Sequence, residues 1–149
     1  YNILTTRFHC YLDHLIGTDY RKILCLDCKD TEIFKDPFPL IDDSILIGSE
    51  EGKIKDSLFI IDWFRRAYGE TYFRENKILN CGIIGGKYDI FLKLLKYFKN
   101  ETINKKGNID LAIFMKLIYE GFKFKTGYPI HTIFNKFEGK ESGCYIRHK

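Results

Sequence analysis

Two aspartates three residues apart, Asp27 and Asp30, lie just past a short apolar run, Ile23-Leu24-Cys25-Leu26. Carboxylates are hard oxygen ligands, and a pair of them at the mouth of a sheet suits Mg2+ or Mn2+. Such an ion can neutralise a diphosphate and help it leave. Spacing alone favours a plainer account, a turn Asp beside a solvated one, because residues three apart on a straight strand face opposite ways. The carboxylates converge only where the strand end bends into a turn.

Three other places carry chemistry. Asn80-Cys81-Gly82 joins an amide donor and acceptor to a glycine that lets a ligand approach the backbone. A strand-to-loop turn explains that triplet equally well. Asp110 opens Asp110-Leu111-Ala112-Ile113-Phe114 and either points into a site or meets the positive end of a helix. His148, in Tyr145-Ile146-Arg147-His148-Lys149, offers an imidazole that can bind Mn2+, or is a frayed terminal residue. Its competitor, His131 in Pro129-Ile130-His131-Thr132, more simply packs at a strand or meets an acceptor. Arg7 shares a helix face with Tyr11 and is a candidate phosphate partner, although a solvated arginine is the simpler account.

The elements that must position these residues alternate. Helical spacing runs from about Thr6 to Ile16, through Leu58–Tyr68, through Tyr88–Phe98 and from Asp110 to Tyr119. Strands are expected at Ile23–Leu26, Ser44–Ile47 and the start of Ile78–Ile84, with late ones at Ile130–Phe134 and Cys144–Arg147. This alternation predicts an α/β fold with a mainly parallel sheet flanked on both sides by helices, Ile23–Leu26 being central. Ligands of such sheets sit beyond the carboxyl ends of the strands, which is where the polar residues above fall.

Bulk properties narrow the partners. The 149 residues fit one domain. The 45% hydrophobic and 30% charged content is that of a globular chain, and the 16% aromatic content serves core packing first. Net charge is +4 with the basic residues scattered, so neither nucleic acid nor a membrane surface is the expected partner. No apolar stretch reaches membrane-spanning length. Five cysteines give no even framework. Cys25 and Cys28 have redox or zinc spacing, but no second Cys/His pair matches it, so neither a zinc site nor a Cys25–Cys28 disulfide is expected.

Taken in order, these segments resemble the GT-A class of nucleotide-sugar glycosyltransferases. Ile23-Leu24-Cys25-Leu26-Asp27-Cys28-Lys29-Asp30, then Thr31-Glu32-Ile33-Phe34-Lys35-Asp36-Pro37-Phe38, is similar to that family's apolar strand, acidic motif, short strand and Asp-Pro. Counting back from Asp36-Pro37 puts Asp30 on the second motif Asp; Cys28 stands where the first is usual, and Asp27 lies one place earlier. Asn80-Cys81-Gly82 resembles the family's Asn-(Ser/Ala)-Gly. Asp110-Leu111 resembles its Asp-Gln, with Leu in place of Gln.

The resemblance implies a metal site of Asp27, Asp30 and His148 holding Mn2+ or Mg2+. It implies donor-sugar and diphosphate contacts from Lys29, Asn80, Cys81, Gly82, Asp110, Lys149 and Arg7. The implied function is hexosyl-type transfer from a UDP- or GDP-sugar to a glycan, protein or lipid acceptor. No side chain stands out as catalytic base. A non-catalytic, degenerate transferase domain serving as a binding module is the alternative. The family's opening strand-helix-strand unit for the nucleotide base is not seen before Arg7. The chain is therefore expected to be the C-terminal part of such a domain, lacking the N-terminal nucleotide-binding strands. A eukaryotic protein of this kind with an upstream anchor would work in the Golgi or ER lumen, and otherwise in the cytoplasm.

Overall fold

A computed structural model of the protein describes residues 3–134 and 143–149. The helices are α1 (Ile3–Leu15), α2 (Leu58–Tyr68), α3 (Tyr88–Thr102) and α4 (Asp110–Gly121). The strands are β1 (Lys22–Leu26), β2 (Thr31–Ile33), β3 (Ile45–Lys53), β4 (Lys77–Lys87), β5 (Phe124–Lys125) and β6 (Ile146–His148). Among the described residues no helix is long and apolar enough to cross a membrane.

The fold is α/β, but the sheet is not mainly parallel. Its order is β1-β4-β3-β5; β1 and β3 both run antiparallel to β4, and only β3 and β5 are parallel. β1 therefore lies at an edge of the sheet, not at its centre. The physical reason lies in the connection between β3 and β4. Their register reaches Lys53↔Lys77, and the ladder continues with the Ile54 N–H on the Asn76 carbonyl and the Lys55 N–H on the Arg74 carbonyl. The connection is a hairpin that carries α2 as an excursion. A strand-helix-strand pattern in sequence fixes the periodicity of each element but not the direction of the second strand. The helix itself is well delimited: the Ser57 hydroxyl accepts the Ile60 N–H at 3.3 Å and starts it.

All four helices share one apolar cluster with the sheet. Phe8 and Leu12 of α1, Phe64 of α2, Phe91 and Phe98 of α3 and Phe114 of α4 pack with Ile23, Ile47 and Ile84. The rings of Phe98 and Phe114 stack at 4.2 Å, and Phe8 meets both edge-on. On the other face Leu46 packs with Ile41 and Ile130. Among the described residues, that face is closed by irregular segments and by the antiparallel pair β2–β6, not by a second helix layer. Of the expected late strands, β6 forms, while Ile130–Phe134 contributes an isolated bridge, His131 to Ile146.

Candidate functional site

β4 does not open into a loop at Asn80. It runs straight through Asn80-Cys81-Gly82, and the strain is taken up as a bulge. Ile47 pairs with Ile84, and the next residue, Gly48, pairs with Asn80. Cys81, Gly82 and Ile83 are thus left without partners in the β3 register. Bulges re-aim side chains, and here one changes which face each residue serves. The Asn80 amide fixes it: Oδ1 accepts the Gly82 N–H at 2.7 Å and Nδ2 donates to Glu50 Oε1 at 2.7 Å. Cys81 turns into the helix-side core. Burial first, then the neighbouring Asp110 charge, keeps its thiol protonated.

On the helix side, β1 ends beside the bulge. The Asp27 N–H donates to the Gly82 carbonyl at 2.9 Å, and the Asp27 carbonyl accepts the Asp30 N–H at 3.0 Å and the Thr31 hydroxyl at 2.8 Å. The turn carrying both aspartates is therefore closed by hydrogen bonds. From α1, Arg7 Nη1 donates to Asp27 Oδ1 at 2.6 Å, and the guanidinium lies 4.6 Å over the Phe8 ring. From the first turn of α4 comes Asp110, 2% exposed, with Oδ1 buried and unpartnered. Burial raises its pKa, opposed by the Arg7 charge. Cys25 faces the same group, its thiol pushed up by burial to about 12, and Cys25 and Cys28 are both free.

On the far side lies His148, 2% exposed. Its strand pairs Thr31↔His148, and the Lys149 N–H donates to the Asp30 carbonyl at 2.6 Å, so the end of the chain is sewn to the acidic turn. The imidazole occupies the space that side chains at two glycines would fill. A Cβ on Gly82 would overlap Nε2 and come within 2.7 Å of Cε1, while one on Gly48 would sit 3.4 Å from Nδ1. Phe134 covers the ring at 4.7 Å, and the Thr132 hydroxyl accepts the His148 N–H at 2.9 Å. Burial, helped by nearby His131 and opposed by Asp30, brings the His148 pKa down to about 4, so the ring is neutral at pH 7. Its Nδ1 is buried without a partner.

The residues singled out from sequence divide into two neighbouring groups. Arg7, Asp27 and Asp110 gather on the helix side; Asp30, Asn80, Gly82 and His148 gather at the bulge and on the far side. Cys81 belongs to the core. Lys29 stands exposed on the turn, and the Lys149 ammonium reaches out towards Glu32 at 3.8 Å. Two contributors escaped the sequence reading. Glu50 and Thr132 orient Asn80 and His148 through single hydrogen bonds, which leave no local pattern. His131, expected to pack at a strand or meet an acceptor, packs as a buried staple: Nδ1 meets the Thr132 carbonyl at 2.6 Å, and Nε2 accepts the Gly127 N–H at 2.8 Å.

Among the described residues, no three His, Cys, Asp or Glu side chains are grouped closely enough to hold a metal ion by themselves. The expected ligands behave differently from one another: Asp27 is committed to Arg7, whereas Asp30 is exposed beside a neutral His148 with an orphaned nitrogen. One carboxylate and one neutral imidazole suit Mn2+ better than the oxygen-demanding Mg2+, with a substrate's phosphate oxygens and water completing the coordination. No protein-family model matches the chain, and no curated protein matches it.

Proposed function

We propose that the chain works in metal-dependent glycosyl transfer, moving a sugar from a UDP- or GDP-sugar to a glycan, protein or lipid acceptor. One observation carries this reading. Residues from five separate stretches, around Arg7, Asp27–Asp30, Asn80–Gly82, Asp110 and His148, meet around one bulge in β4. Each has a task in handling a sugar diphosphate. Asp30 and His148 would hold Mn2+ or Mg2+, which when bound supplies counter-charge to a leaving diphosphate. Lys29, exposed on the same turn, places further positive charge there, while Arg7 is paired with Asp27 on the helix side. Gly82, without a side chain, leaves the room in which the His148 ring sits beside the acidic turn. Asp110, with one buried and unpartnered oxygen, is suited to accept a hydrogen bond from a donor-sugar hydroxyl.

A second reading, a transferase-like binding module without turnover, draws on the Arg7–Asp27 pair and on Cys28 in place of an acidic residue. One experiment separates the two. Donor hydrolysis is screened across UDP- and GDP-sugars with Mn2+, using the natural protein with whatever flanks this chain. The transferase reading expects Mn2+-dependent release of the nucleotide diphosphate, and loss of roughly a hundredfold or more in Asp30→Asn. Asp30 is exposed, so folding is expected to be unchanged. Mn2+-dependent turnover that survives Asp30→Asn would end the site assignment. No turnover with any donor would favour the binding module.

A further inference from the structure

The segment after β5 and strand β6 form a ribbon. The Tyr145 N–H donates to the Pro129 carbonyl at 3.0 Å, Ile146 to Ile130 at 3.0 Å, and Thr132 to Ile146 at 3.1 Å. One end of this ribbon is His148. The other end, Tyr128 and Pro129, forms a wall of an open cleft of about 600 Å3. At strand rise, Pro129 to Thr132 spans roughly 10 Å, the length of about two sugar rings.

The lining of the cleft is specific in kind. Tyr128 is 74% exposed and lines the cleft. Its hydroxyl end lies against Gly143, where a Cβ would come within 2.7 Å of the Tyr128 hydroxyl. Phe124, Leu40 and Pro39 supply further apolar surface. The polar groups are Thr126, Asp42 and Lys125, and the two charges are ion-paired to one another. A phosphate or an acidic peptide would therefore find Lys125 already neutralised. An alkyl chain would cover the Asp42–Lys125 pair without replacing its contacts with water. An uncharged sugar ring fits both features: its C–H face lies on the exposed aromatic ring, and its hydroxyls reach the polar rim.

We infer that this cleft binds an uncharged saccharide, the acceptor of the transfer reaction proposed above, on which its role as an acceptor site rests. The test is a titration of the protein with maltohexaose, cellohexaose, chitohexaose and mannohexaose, followed through backbone amide resonances. The expected result is a saturable shift of the Phe124, Thr126 and Tyr128 amides by at least one of the four. Tyr128→Ala should weaken it roughly five- to tenfold, while Tyr128→Phe, which keeps the ring, should bind within about twofold of the natural protein. No shift with any of the four at millimolar concentration, or binding indifferent to Tyr128→Ala, overturns the inference. So does concentration-dependent self-association that Tyr128→Ala abolishes, because the occupant would then be a second copy of the chain. Saccharide binding without sugar-nucleotide turnover keeps the cleft and removes the transferase reading. Turnover without saccharide binding at these amides removes the cleft alone.

Discussion

At the bulge of β4 the two faces of the sheet hold different kinds of polar group. On the helix side the group is ionic: Arg7 pairs with Asp27, and Asp110 lies within reach of both. Its members sit on α1, at the end of β1 and at the head of α4, elements anchored by the Phe8, Phe98 and Phe114 rings. On the far side the central group is neutral. His148 rests on two glycines under Phe134 and is held by hydrogen bonds from short or irregular segments. Charge balance is handled on one face and shape on the other. Substitutions on the far side should therefore act through sterics and protonation and be costly to stability. Those on the helix side should act through electrostatics and leave the fold nearly intact.

The sharpest way to break this contrast is Gly82→Val. The new side chain would enter the space of the His148 ring, which Phe134 and the Thr132 bond prevent from retreating. Overpacking at a buried site is expected to cost about 3 kcal/mol, read by urea denaturation. A loss below about 0.5 kcal/mol would mean that the ring moves freely and that shape does not govern this face.

Next in size is the pH dependence of the far side. The folded His148 pKa, about 4, lies below its value in an unfolded chain, so between these values the unfolded state binds the proton and the folded state does not. Stability should thus fall as pH drops from about 6.5 towards 4, by an amount on the order of 3 kcal/mol from this residue. His131 and His9 are shifted the same way by burial and add to the slope. Denaturation across this range should show a distinctly shallower dependence in His148→Gln. An unchanged slope would assign the effect to the other two.

These two faces were unequally legible in the sequence. The periodicity of α2, α3 and α4 was plain, and so was the acidic turn after the Ile23–Leu26 strand, because each is a local pattern. Strand direction was not, since Lys53↔Lys77 pairing around an inserted helix depends on contacts between distant residues. The Asn80–Gly82 bulge read as a loop, because asparagine and glycine signal a turn wherever they occur and the bond that keeps them in a strand comes from Glu50. Arg7 could be singled out because it shares a helix face with Tyr11, and Asp110 because it opens a helix. What could not be seen was that Arg7 pairs with Asp27, a contact between residues twenty positions apart on different elements, or that Thr31 pairs with His148 beside Asp30.

On the helix side, Asp110→Asn should raise stability while harming function. Burial raises the Asp110 pKa against the opposing Arg7 charge, so ionising this carboxyl costs more in the folded state than in the unfolded chain. The amide removes that cost, with an expected gain of about 1 kcal/mol at pH 7. The gain should shrink as pH falls through the folded pKa and vanish below the unfolded value, where both states of the natural protein carry the proton. Turnover should fall in the same variant if the unpartnered oxygen serves the donor sugar. A destabilised Asp110→Asn would show that the helix dipole outweighs burial here.

The smallest expected effect on stability is that of Arg7→Gln, and it tests the contrast from the other end. The Arg7 and Asp27 side chains are 23% and 34% exposed, so water screens the 2.6 Å contact and the pair is expected to contribute less than about 1 kcal/mol. A fully desolvated pair would instead lose roughly 3–5 kcal/mol when one partner is removed. Two double-mutant cycles locate the coupling. Arg7 with Asp27 should give an interaction energy of about 0.5 kcal/mol that declines with added salt. Arg7 with Asp110 should respond less to salt, because Asp110 is only 2% exposed and its field passes through protein instead of solvent. Removing Arg7 also removes the charge that opposes the rise in the Asp110 pKa, so that carboxyl should titrate at a higher pH in Arg7→Gln, visible by NMR of its side-chain carbon. If the Asp110 titration is unmoved, the helix-side residues do not form one electrostatic unit, and Arg7 serves Asp27 alone.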